Sequence, residues 1–285
     1  MLVGLLLAYL FAFPQQSLAM LQGETQSDVS RTDKSADTIQ ALQKTTQNTV
    51  ATVMSIPVEN IGSFNMGPYD RNQDVVFLKP LIPIQLSENW RLVLRILQPV
   101  RWQPYVSRNR GGEFGLGDMN PTFFLSPRSR GMLAWAVGPT FLLPTATDRI
   151  LGQGKFSVGP EFALFIQPDH WTSGTLISNV WSVAGSSGRP NMNQMQLQYF
   201  ITHFLKKGWD LETSPIVTAN WKGRTGNVWT VPFGGGVGKI VHFGSRPAKL
   251  SAQLYRTAVC PSGAAPWSMR LQTEFLFPKR KQQEN

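Results

Sequence analysis

The sequence has little of what most chemistry needs. It carries one cysteine and three histidines in 285 residues, and only 15% of them are charged. Cys260, in the loop-like stretch CPSGAAP, cannot close an internal disulfide. His170, His203 and His242 have no metal-ligand spacing, so no metal is expected. No local Ser–His pattern marks a hydrolase, and the expectation is that the chain is not an enzyme. GGGVGK at Gly234–Lys239 fails as a phosphate loop: Phe233 stands where Gly is required and Ile240 where Ser or Thr is required. No cofactor is expected.

Long apolar runs are also missing. None approaches the ~18 residues of a spanning helix, so a membrane protein of this composition crosses with strands, whose apolar residues are diluted by alternation. A solvated disordered chain is excluded by the low charge and by 17 Phe and 9 Trp. The net charge of +10 comes from scattered positives, dense only at Lys279–Lys281. No nucleic-acid motif accompanies them, so no nucleic-acid partner is expected. Basic residues at the rims of a barrel meet anionic lipid headgroups instead.

What is present is a hairpin pattern. Between Gly111 and Ile166, three segments of about ten residues (Leu116–Ser126, Met132–Leu143 and Lys155–Ile166) are separated by Gly/Pro/Ser-rich breaks. In the third, Phe156, Val158, Pro160, Phe162, Leu164 and Ile166 share one face, and Lys155, Ser157, Gly159, Glu161, Ala163 and Phe165 the other. That period of two is a strand with one apolar face. Trp90–Trp102 repeats the design, with Arg91, Val93, Arg95 and Arg101 opposite Leu92, Leu94 and Ile96; so does Trp209–Trp221, with Asp210 and Glu212 opposite Leu211. In both, two tryptophans lie twelve positions apart on the apolar face. Twelve steps of ~3.3 Å give ~40 Å of strand, which at a tilt of about 40–45° spans roughly 28–30 Å. An apolar band ~25 Å tall between aromatic girdles fits that spacing.

Gln194–Phe204, Ala248–Thr257 and Trp267–Phe277 alternate in the same way, whereas Trp171–Val183 shows no clear apolar face. Starting from Val75–Leu86, the pattern yields about eleven strands. Single-chain barrels favour even numbers, so the expectation is an all-β antiparallel transmembrane barrel of about twelve strands, ten being the other possibility, with Met54–Phe64 as the missing strand.

The segments GGEFGLGDMNPTFFLSP, WAVGPTFLLPTATD and GQGKFSVGP resemble those shared by a bacterial outer-membrane barrel family. That family is described as transporter-like or as MetA-pathway of phenol degradation-like, and is sometimes mislabelled neuromedin U. The likeness extends from QNTVATVMSIPVENIGSFNMGP to FLFPK at Phe275–Lys279. It implies an outer-membrane barrel, and its label points toward aromatic or apolar compounds.

The expected organisation is a signal peptide over 1–19, a polar and weakly helical or extended segment over 20–53, the barrel over 54–278 and a basic tail over 279–285. The 20–53 segment reads either as a periplasmic tail or as a plug. Expected membrane-interface aromatics are Trp90, Trp102, Trp209, Trp221, Trp267 and Phe277. Expected lumen-lining residues are Arg91, Arg95, Glu161, Gln194, Gln196, Gln198, Asp210, Glu212, Lys249, Arg270 and Glu274. Their mixed charges form either a selective path or an internal ion-pair network.

The functional expectation is a bacterial outer-membrane barrel passing a small solute passively. A structural barrel without transport and a soluble secreted β protein are the alternatives. Expected partners are outer-membrane lipid, the barrel-assembly machinery, which would recognise the aromatic-ended last strand, and a small-molecule solute of unknown identity.

Overall fold

A computed structural model describes residues 54–277 apart from 106, 108, 109, 129, 130, 244 and 245. The expected signal peptide, 20–53 segment and basic tail lie outside the described residues. Fifteen β segments make up the fold: β1 (Met54–Met66), β2 (Arg71–Leu78), β3 (Leu81–Gln85), β4 (Trp90–Pro104), β5 (Gly112–Leu116), β6 (Asn120–Pro127), β7 (Leu133–Leu142) and β8 (Lys155–Ile166) come first. Then follow β9 (Trp171–Gly185), β10 (Asn193–Phe204), β11 (Trp209–Thr213), β12 (Ile216–Asn220), β13 (Trp229–Phe243), β14 (Arg246–Val259) and β15 (Trp267–Phe277). Among the described residues, helix is limited to two 3-10 turns, Gly67–Tyr69 and Lys206–Gly208.

Three of the barrel strands are broken in two: β2 with β3, β5 with β6, and β11 with β12. Pro80 and Pro215, which lack an N–H for the ladder, mark two of the breaks. Joined across them, the segments form twelve antiparallel barrel strands. Pairing of β1 with β15 over Met54↔Phe277 to Phe64↔Trp267 closes the ring. The strand expected at Met54–Phe64 is therefore present as β1, and closure leaves no sheet edge for lipid to meet.

The connections at the end where the barrel begins and finishes are short: 86–89, 128–132, 167–170, 205–208 and 244–245. At the other end they run over 67–70, 105–111, 143–154, 186–192, 221–228 and 260–266. Short periplasmic turns and longer outer loops are the rule for such barrels, which orients the chain with 143–154 on the extracellular side.

Alternation sorts the side chains. In β8, Lys155, Ser157, Gly159, Glu161, Ala163 and Phe165 are all buried, while Phe162 and Ile166 are exposed. In β4, Arg91, Val93 and Arg95 are buried, and Leu92, Leu94 and Ile96 face out. The structure also orients β9. Thr172 and Leu176 are buried, and Trp171, Ile177, Trp181 and Val183 are exposed. Its polarity alternation is lost because apolar Leu176 and Val180 face in while Asn179 faces out, where it accepts the Trp221 indole N–H at 2.8 Å.

The interior is apolar in one sector. Val93, Phe124, Ala134, Ala136, Ala163, Phe165, Leu176 and Phe200 form a buried cluster, with the Phe165 and Phe200 rings 5.3 Å apart. Val93 points inward with Arg91 and Arg95, as the alternation requires, but its surroundings are hydrocarbon.

Candidate functional site

A cavity of about 400 Å³ runs inside the barrel. Its lining extends from Pro57, Thr202 and Glu274 near the periplasmic end to Asp118, Gln153 and Met192 near the extracellular end. Three groups of polar side chains and one loop shape it.

The first group spans β1, β11, β14 and β15. Lys79 Nζ lies 2.6 Å from Glu59 Oε1, and Arg270 Nε lies 3.6 Å from Glu59 Oε2. Arg270 Nη1 also donates to the Ser214 carbonyl at 2.7 Å and to its hydroxyl at 2.6 Å. Ser214 donates to Gln253 at 2.9 Å, and Gln253 donates to Glu212 at 2.5 Å. Lys249 Nζ completes the chain, 2.5 Å from Glu212 and 3.1 Å from Asp210. Asp210 is fully buried, and the Lys249 ammonium is the charge set against it.

The second group crosses β4, β6, β7 and β8. Arg95 Nη2 donates to both Glu161 oxygens at 2.6 and 2.7 Å. Thr122 donates to Glu161 at 2.9 Å and contacts the Thr140 hydroxyl at 2.8 Å. The Arg95 guanidinium lies 5.3 Å from the centre of the Phe124 ring, and so covers the apolar cluster. The third group is a row of amides, Gln194, Gln196 and Gln198, on successive inward positions of β10.

The loop 143–154 enters the extracellular mouth. Leu151 is fully buried, and Leu151, Gly152 and Gln153 line the cavity. Asp118, between β5 and β6, holds the loop by accepting the backbone N–H groups of Ala146 at 3.1 Å and Gln153 at 2.5 Å. From the next loop, Arg189 donates to the carbonyls of Arg149 at 2.5 Å and Gln153 at 3.0 Å. Gly152 leaves the space needed, because a Cβ there would meet the Asp118 carboxylate and the Ala146 side chain. The segments GLGD and TATDRILGQG are thus two halves of one contact.

Of the expected lumen residues, Arg95, Gln194, Gln196, Gln198, Glu212 and Glu274 line the cavity. Glu161, Lys249 and Arg270 are buried behind it as partners of the lining groups, and Asp210 is buried as a partner of Lys249. Arg91 is buried without lining the cavity, and its Nε and Nη1 have no hydrogen-bond partner among the described residues. Glu59, Lys79, Arg101 and Asp118 also line the cavity but are not among the residues expected from sequence. Pro57 spoils the polarity alternation around Glu59, and Lys79 lies in a strand break. Asp118 reads as a turn residue until the loop above it is seen. Arg101 shares the inward face of β4 with Arg95, so alternation alone could have found it.

The outer face carries two aromatic belts. Trp90, Trp171 and Trp209 are exposed at the periplasmic ends of their strands, and Trp102, Trp181, Trp221, Trp229 and Trp267 at the extracellular ends. Trp135 packs edge-on against Trp90 with ring centres 6.2 Å apart. The side chain of Phe277 lies outside the described residues. Between the belts the exposed side chains include Leu125, Phe162, Ile177, Ile201, Val237 and Leu254. A closed barrel with a hydrocarbon waist and tryptophan rims is built for lipid. The chain is a bacterial outer-membrane β-barrel.

No family model matches the chain, and no curated protein matches it. Solved structures do. The COG4313 outer membrane channel from Pseudomonas putida F1 is similar at 17% identity, over 80% of this chain and 96% of that one, with a TM-score of 0.63. The NanC porin follows at 9% identity, over 79% of this chain and all of that one, with a TM-score of 0.47. Outer membrane phospholipase A from Escherichia coli is similar at 13% identity, over 81% of this chain and all of that one, with a TM-score of 0.41. These likenesses concern the fold. Because a phospholipase stands among the neighbours, the barrel gives no ground for excluding catalysis. The expectation that the chain is not an enzyme is corrected accordingly.

Proposed function

We propose that this barrel is a passive channel through which a small solute crosses the outer membrane. The observation that carries the reading is the cavity of about 400 Å³, lined by side chains from the periplasmic third of the barrel to the inward loop. The ion-pair groups and the loop narrow the path without filling it. The resemblance of the segments around GLGD and PTATD to the MetA-pathway of phenol degradation-like family favours a solute with an aromatic or apolar body. On the same reading, residues 1–19 direct export, and the barrel-assembly machinery recognises the strand that ends at Phe277. Conductance of the refolded protein in planar bilayers, with a panel of neutral, anionic and cationic solutes, tests the proposal.

A structural barrel without transport is the second reading. It is favoured by the apolar cluster around Phe124, Phe165 and Phe200, which fills one sector of the lumen. Refolded, heat-modifiable protein that passes no current would support it over the channel.

A further inference from the structure

Three cationic side chains line the cavity: Lys79, Arg95 and Arg101. Two of them are neutralised at contact distance, Lys79 by Glu59 and Arg95 by Glu161. Arg101 forms no ion pair among the described residues, and its buried Nε has no hydrogen-bond partner. Asp118 lines the cavity as well but makes no ion pair with Arg101. Both Asp118 oxygens are already engaged by the loop N–H groups of Ala146 and Gln153. A half-buried guanidinium whose Nε lacks a partner is incompletely satisfied, and a carboxylate that reaches it gains charge-assisted hydrogen bonds.

The position of Arg101 is set by packing. It lies in the extracellular half of β4, against Gly117, where a Cβ would stand 2.9 Å from its Nε, 2.8 Å from Pro99 Cγ and 3.1 Å from the Leu151 carbonyl oxygen. Leu97, Pro99 and Leu151 give the cavity an apolar surface beside the guanidinium. Five strands round the ring, β10 presents the amides of Gln194, Gln196 and Gln198 to the same cavity. Cationic head, apolar flank and hydrogen-bonding far wall together suit one kind of guest.

We propose that Arg101 is a carboxylate-binding station under the inward loop, and that the solute carried is a small organic anion with one carboxylate on a compact apolar body. The proposal rests on the channel reading for its transport role, but the binding site can be tested alone. Neutral and cationic analogues of the same shape pass without pausing there.

The test uses benzoate, benzyl alcohol and benzylamine on refolded full-length protein, with Arg101→Gln and Arg101→Lys as variants and heat-modifiability as the check of folding. Calorimetric titration in detergent reads binding, and bilayer recording reads current and its block. The expected result is benzoate binding and transient block, with neither from benzyl alcohol or benzylamine. Arg101→Gln should lose benzoate affinity by about tenfold, the equivalent of one hydrogen bond to a charged group, and Arg101→Lys should retain more. Benzoate binding without any current would keep the anion site and refute the channel. Current without discrimination between benzoate and benzyl alcohol, or block unchanged in folded Arg101→Gln, would overturn the anion site and leave the channel standing.

Discussion

Asp118 Oδ2 accepts the backbone N–H of Gln153 at 2.5 Å, across 35 positions of sequence. With the Ala146 N–H on Oδ1, this side chain grips the 143–154 loop at two points, and Arg189 holds it from the next loop. The contact holds Leu151, Gly152 and Gln153 against the cavity.

Replacing Asp118 with Ala should free the loop and leave the barrel intact. Each lost hydrogen bond to the carboxylate contributes about 1.5–3 kcal/mol, enough to shift the loop's position without unfolding twelve strands. Single-channel conductance should rise and become noisier. Gly152→Val should act in the same direction by steric displacement from Asp118. Unchanged conductance in both variants would place the loop off the conduction path.

The Arg95–Glu161 pair should show strong coupling. Arg95→Met or Glu161→Gln alone leaves a buried charge without its partner, at a cost of about 3–5 kcal/mol. The double variant should lose clearly less than the sum of the two. Urea midpoints of the four proteins in detergent measure the cycle, and simple additivity would show that the pair does not interact as placed.

Lys249 and Lys79 should differ in their effect. Lys249 pairs with Asp210 and Glu212 together, whereas Glu59 retains Arg270 when Lys79 is removed. Lys249→Met should therefore destabilise the barrel more than Lys79→Met, because it removes a cation shared by two buried carboxylates rather than one of two cations around Glu59. Thermal or urea unfolding compares them directly, and the reverse order would contradict the network described.

Leu94→Arg sets a charge on the lipid face near the middle of β4 and should cost about 2–4 kcal/mol. Gln196→Arg faces the cavity and should be nearly neutral for folding. Val93→Arg is not a useful inward control: Val93 is 1% exposed and sits in the apolar cluster. Folding yield into lipid vesicles, read by heat-modifiability, ranks the variants. Equal yields for Leu94→Arg and Gln196→Arg would reverse the assignment of faces.

The faces of the strands were legible in the sequence, because alternation is a property of the backbone itself. Each residue turns its side chain through half a revolution from the last, so Trp90 and Leu94 had to oppose Arg91 and Arg95 whatever the rest of the chain did. The spacing of the tryptophans likewise followed from membrane thickness. The arrangement of the lumen was not legible. Arg95 meets Glu161 across 66 positions and Lys249 meets Glu212 across 37. Those meetings depend on strand stagger and ring closure, which bring separate strands to one height. Val93 and Phe124 form a dry sector for the same reason, although alternation marks only that they point inward. The 143–154 loop has no period at all. Its entry into the mouth depends on the Asp118 carboxylate, on Arg189 and on the space at Gly152, contacts that exist only once the barrel has closed around them.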